Sequence, residues 1–234
     1  MNAEAKSASH LASEIWIAGA AVGVVIALQF LLINELAVGR WWLAPAIEFI
    51  LLAVFLAVAP GKFGARGMNA VDQQHTIEVD KHRLRAIALV LTAFIVTVNL
   101  LALFDLLRTL ITGRSEVGST LLLDAVNVWT TNVISFALAF WCLDQGGPLA
   151  EADGYGSARE FLFPQHTISD AIERTVAGPG CVDYLFLSFT TATAFSPTDT
   201  APLTQKMKLL MMAEAGVSFL TVALVAARAV NILA

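Results

Sequence analysis

Charge is scarce in this sequence. Asp, Glu, Lys and Arg make up only 14% of its 234 residues, while 57% are hydrophobic. A soluble domain carries roughly 25% charged and about 45–50% apolar residues, so an ordinary soluble fold is excluded. Cysteine is scarce too. Cys142 and Cys181 are the whole complement, which rules out a disulfide scaffold; the pair reads as two apolar fillers. The four histidines, His10, His75, His82 and His166, are scattered over termini and loops. None has metal-ligand spacing, so no metal site is expected. A net charge of −5, with no basic patch laced with aromatics, gives no nucleic-acid partner. No nucleophile with a base and no glycine-rich phosphate loop stands out, so neither an enzyme nor a cofactor is expected. No internal repeat and no low-complexity tract is apparent. No span carries arginine at every third position, which excludes a voltage sensor.

Long apolar runs are what the sequence has. A bilayer core about 30 Å thick needs roughly 20 apolar residues in a helix. Residues 15–37, 41–59, 84–107, 120–143 and 207–232 meet that length or come close. A further run, 181–195, is too short for a comfortable span and reads as a core helix or a re-entrant segment. The first run is longer than a signal-peptide core, its flank holds Glu4 and Glu14 beside Lys6, and no small-residue cleavage site ends it. It reads as a retained span. The expected fold is an all-α membrane protein of about five transmembrane helices plus a short re-entrant segment resembling a pore helix. The expected place is a cell membrane, multi-pass, with a bacterial inner membrane in view, and the lipid bilayer is the first partner.

Two polar connections are substantial. Residues 61–83 begin rich in glycine and end in Asp80-Lys81-His82-Arg83, with helical character that suits a continuation of the third span. Residues 144–180 are acidic and punctuated by Gly146-Gly147-Pro148 and Gly178-Pro179-Gly180. Within them Phe161-Leu162-Phe163 suggests a loop packed on the membrane surface. Gly154-Tyr155-Gly156 lies in this acidic stretch with no helix before it and reads as a turn.

The most informative stretch is 183–231. A short helix, apolar and then rich in threonine, is broken by Ser196-Pro197-Thr198-Asp199 before the last span. Non-helical backbone at membrane depth is tolerated only inside protein or beside water, so this pattern suggests a re-entrant pore loop.

With these residues in view, the chain from 120 onward resembles the pore domain of tetrameric potassium channels. That family's filter region commonly reads T-A-T-T-V-G-Y-G-D. The matching residues are Thr191, Ala192, Thr193, Ala194, Phe195, Ser196, Pro197, Thr198 and Asp199. The resemblance divides the chain into a three-span region, 1–119, and a pore-domain-like region, 120–234. The latter holds an outer helix 120–143, a loop 144–180, a pore-like segment 181–199 and an inner helix 207–232. Ser188 is a further landmark, and Gly216 lies where the family often has a gating glycine. The resemblance implies a homotetramer passing small inorganic ions, with cations expected. It also implies a pore lined by Thr191, Thr193, Ala194, Phe195, Ser196, Pro197, Thr198 and Asp199, with Glu214 and Gly216 at the inner-helix cavity and gate. The departure is chemical. A potassium filter stacks backbone carbonyls around the ion, and its glycines supply the backbone angles. Here both glycine positions are taken by Ser196 and Thr198, and Pro197 fixes its own φ. Hydroxyls in place of clean carbonyl rings imply selectivity of a non-potassium type.

Basic residues favour the cytoplasmic side of short loops. With five spans and a loop entering from outside, Arg40, Arg108, Arg114 and Arg228 fall inside. Lys6, Lys62, Arg66, Lys81, Arg83, Arg85, Arg159, Arg174, Lys206 and Lys208 fall outside. Either the loop enters from the cytoplasm, as in the inverted pores of glutamate receptors, or 181–195 is a sixth span, or the bias misleads. A small membrane transporter with a broken helix, and a non-conducting structural membrane protein, stay open beside the channel. Ionisable residues within spans suggest function or interhelical pairing: Glu48, Asp105, Asp124, Glu214 and Arg228. Asn127, Thr130, Thr131 and Asn132 make the fourth span polar enough to glue helices together.

Overall fold

The computed structural model describes residues 2–32, 43–58, 70–112, 118–144, 159–167, 178–193 and 199–233. Six helices dominate them: α1 (Asn2–Leu32), α2 (Leu43–Val58), α3 (Ala70–Thr112), α4 (Gly118–Leu143), α5 (Cys181–Thr193) and α6 (Gln205–Leu233). Two short strands, β1 (Phe161–Leu162) and β2 (Ala201–Pro202), and one 3₁₀ turn, Pro164–Thr167, complete them. The protein is an all-α membrane protein: α1, α3, α4 and α6 are each apolar and long enough to cross a bilayer. α2 is shorter, at 16 residues, or about 24 Å of helix. The third span does continue from the preceding polar stretch, since α3 is one unbroken helix of 43 residues.

Local chemistry sets the helix ends. Pro45 sits in the first turn of α2, where its missing N–H is no loss. α5 begins directly after Gly178-Pro179-Gly180, and Asp183 in its first turn accepts the Gly180 N–H at 2.8 Å. This is one half of a capping box; glycine has no side chain to supply the other half. At the head of α6, the Thr204 hydroxyl accepts the Met207 N–H at 3.5 Å, in the manner of an N-cap. The last carbonyls of α4 are met from α3. Arg85 Nε donates to the Cys142 carbonyl at 2.9 Å and Nη2 to that of Leu143 at 3.4 Å, a cation at the negative end of the helix.

α4 is the central element, packed by α1, α3, α5 and α6, with α2 against α1 and α3. Burial follows this arrangement: 78% of Leu122–Leu143 is buried, against 17% of Gln205–Ala226. An aromatic group closes one end of the bundle. Phe140 meets Phe161 at 5.4 Å between ring centroids, and Phe163 meets Tyr184 at 4.9 Å. Phe161 and Phe163 are therefore buried inside the protein, not laid on the membrane surface as the sequence suggested. The loop is drawn in because β1 pairs antiparallel with β2, Phe161 opposite Pro202 and Leu162 opposite Ala201.

That pairing fixes the path of α5. Tyr184, in its first turn, donates to Asp144 just past the end of α4 at 2.6 Å. Further along, Ser188 reaches the Val133 carbonyl and Phe189 packs on Trp129 at 5.8 Å. Trp129 lies 14 residues before Leu143 in α4, or about 21 Å deeper along its axis. α5 thus descends beside α4 from its C-terminal end. The chain is back at that end by β2, beside the β1 that preceded α5. The excursion is re-entrant and makes no sixth crossing of the helix layer.

Candidate functional site

A buried polar cluster forms where α4, α5 and α6 meet. α6 presents Glu214, Ser218 and Thr221, all buried, at a spacing that puts them on one face of a helix. α4 contributes Asn132 and Ser135, and α5 contributes Ser188. Asn132 Nδ2 donates to Ser218 Oγ at 2.8 Å and approaches the Glu214 carbonyl at 3.3 Å. Ser135 donates to the Asn132 carbonyl at 3.1 Å. The Ser188 hydroxyl contacts both the Val133 carbonyl, at 2.6 Å, and Glu214 Oε1. A hydroxyl has one proton, so it satisfies one of these acceptors and leaves the other to a second donor. Glu214 Oε2 is buried with no hydrogen-bond partner among the described residues. Polar groups between membrane helices commonly act as glue, and Asn132 does so here. A carboxylate with an unpartnered oxygen is more than glue requires.

A second polar layer holds the mouth of the hairpin. Asp144 accepts from the Tyr184 phenol and, at 3.1 Å, from the Glu160 N–H. Glu160 in turn accepts from the Thr204 hydroxyl, and its carbonyl accepts the Leu203 N–H at 2.9 Å. Asp183 also accepts from Gln165 at 2.9 Å. Burial, and then the Asp144 carboxylate, push the Tyr184 phenol above its ordinary range. From α1, Glu14 accepts the N–H of Cys181, the first residue of α5. Burial, followed by this carboxylate, pushes the Cys181 thiol up to about 12. Both cysteines are free. Among the described residues, no group of three or more His, Cys, Asp or Glu side chains is placed to hold a metal ion.

The residues singled out by sequence divide as follows. Thr191 and Thr193 lie in the last turns of α5, half-buried, each donating to a carbonyl of its own helix, at 2.8 Å and 2.9 Å. Ala194, Phe195, Ser196, Pro197 and Thr198 lie outside the described residues. Asp199 is exposed at the start of the return segment. Glu214 turns into its own chain against Ser188, while Gly216, two positions on, lies on the exposed face of α6. These two inner-helix residues therefore face different surroundings. Glu48 pairs with Gln29 of α1. Glu14 was legible only as a flanking charge, because its partner lies 167 positions away. Asn132 stood out as polar, but nothing in the sequence names Ser218 as its partner.

Comparison with family models, curated proteins and solved structures gave no match for this chain.

Proposed function

We propose that this chain is a subunit of a channel-like membrane protein, with a pore for small cations assembled from four copies around a common axis. One observation carries the reading. α5 descends beside α4, packs on α6, and the chain returns to the end it left, through the β1–β2 pairing. A short helix held between two long ones, followed by a non-crossing return, is the arrangement a pore loop requires.

Electrostatics supports cations over anions. The N-terminus of α5 is occupied by Glu14 and Asp183. Its opposite end, deep in the bundle, bears the partial negative charge of a helix C-terminus next to residues 194–198. The α6 surface supports assembly. Leu209, Met212, Phe219, Leu220 and Val222 are exposed along it, and a Cβ added at Gly216 would meet nothing within 4 Å. Among the described residues no contact requires that glycine, and its open surface suits close approach of a second copy. In this reading Glu214 positions the pore helix through Ser188 and does not line the axis. Among the described residues, Lys6, Lys81, Arg83, Arg85, Arg159, Lys206 and Lys208 lie toward the end of the bundle that α5 enters. By the positive-inside tendency, the loop enters from the cytoplasm.

The test is ion flux after reconstitution into liposomes. The expected result is passive cation movement with anions excluded. Saturable uptake of one solute coupled to a proton would favour a small transporter, and the absence of any flux from well-folded protein would favour a structural role.

A further inference from the structure

A second buried carboxylate lies outside the pore-like half. Gln29 of α1 and Glu48 of α2 are 3% and 0% exposed, although both sit in apolar helices. Gln29 Nε2 donates to Glu48 Oε1 at 2.9 Å. Two oxygens of the same pair, Gln29 Oε1 and Glu48 Oε2, are buried with no hydrogen-bond partner among the described residues. Inverting the amide does not cure the deficit. It would set an amide oxygen against a carboxylate oxygen and leave the amide N–H groups without acceptors. Among the described residues, the pair has acceptors in excess and no positive group to balance them.

We propose that Gln29 and Glu48 form a binding site for a small cation, independent of the α4–α5–α6 hairpin. The ligand chemistry follows from the atoms. One carboxylate oxygen and one amide oxygen are hard donors that suit an alkali cation. They repel anions. Nearly complete burial restricts the ligand to atomic size. Position adds to the argument. Gln29 lies 15 residues beyond Glu14 in α1, or about 22 Å farther along the helix axis, toward the opposite end of the bundle from the α5 mouth. Glu48 lies within the second turn of α2, close to that opposite end. A carboxylate inside a membrane helix is costly and marks ion or proton sites. Here it lies in the three-span half, which otherwise reads as scaffold.

The experiment uses the full chain in detergent and dicyclohexylcarbodiimide, which labels protonated carboxyls in apolar surroundings. Labelling is read by peptide mass, so that Glu48 and Glu214 are scored separately. The expected result is labelling at Glu48 that slows at least about fivefold, roughly 1 kcal/mol, when sodium, lithium or potassium is added. Gln29→Leu retains the carboxyl and should lose that protection. Labelling that falls with rising pH but ignores every alkali cation is the titration of any buried carboxyl and overturns the site. Labelling indifferent to both, or no labelling of Glu48 under any condition, overturns the site and leaves the pair as an interhelical lock. Glu48→Gln is the labelling control, and the wild-type result stands even if that variant fails to fold. Flux through the proposed pore is not read in this experiment, so the two proposals fail separately.

Discussion

The carboxylate of Glu14 occupies the space that a side chain at Gly180 would need: an ideal Cβ at Gly180 would stand 2.7 Å from Glu14 Oε2. The two residues belong to α1 and to the turn before α5, and the same carboxylate accepts the Cys181 N–H. Glycine at the N-cap leaves the helix start without its own acceptor, and α1 supplies one.

Gly180→Ala should therefore destabilise the folded protein by about 1–3 kcal/mol, the range for overpacking. Glu14→Ala should cost about 1 kcal/mol for a lost cap. In the double variant the alanine methyl gains the vacated space, so the two effects should sum to less than their separate costs. Thermal unfolding in detergent of the four proteins measures this; strict additivity would place the two residues out of contact.

Ser188 joins α5 to α6 through Glu214 and to α4 through the Val133 carbonyl. Ser188→Ala should cost about 1–3 kcal/mol, because it removes the donor and leaves buried acceptors unserved. Glu214→Gln should be milder, since an amide can donate to the Ser188 oxygen. Denaturant titration with a helix signal distinguishes the two, and an equal or reversed order would contradict the assigned bonds.

The free thiol of Cys181 is buried, with its pKa raised to about 12. At neutral pH it is protonated in the folded protein, so a maleimide should leave it unmodified until the chain is denatured. A pKa raised on folding contributes stability that is intact below the ordinary thiol value of 9.0 and lost as the pH rises from there to about 12. Mass spectrometry after timed labelling checks the first statement, and unfolding midpoints in alkali check the second. Cys181→Ser should flatten the alkaline loss.

Much of the fold was readable because a bilayer imposes its own length on apolar helices. α3 and its polar approach, the late start of α5 after Gly178-Pro179-Gly180, and the shortness of α5 all follow from sequence. The re-entrant path does not. It rests on β1 and β2, two residues each, whose pairing across 40 positions leaves no local pattern. The same limit hid Phe161 and Phe163, whose apolarity fits a membrane surface and a protein core equally well. At the site, Ser188 and Glu214 each stood out, but the bond between them depends on how α5 is laid along α6. Glu14 resembled a solvated flank because a carboxylate one residue before an apolar run is usually in water. The cap at Cys181 accounts for its burial.

The symmetry of the detergent-purified particle, determined by cryo-electron microscopy, tests the central claim most directly. The account predicts four copies about one axis, with α6 and the segment from Thr191 to Asp199 lining it and the exposed face of α6 covered by its neighbours. A monomer, dimer or trimer, or a tetramer in which α5 lies away from the axis, would contradict it.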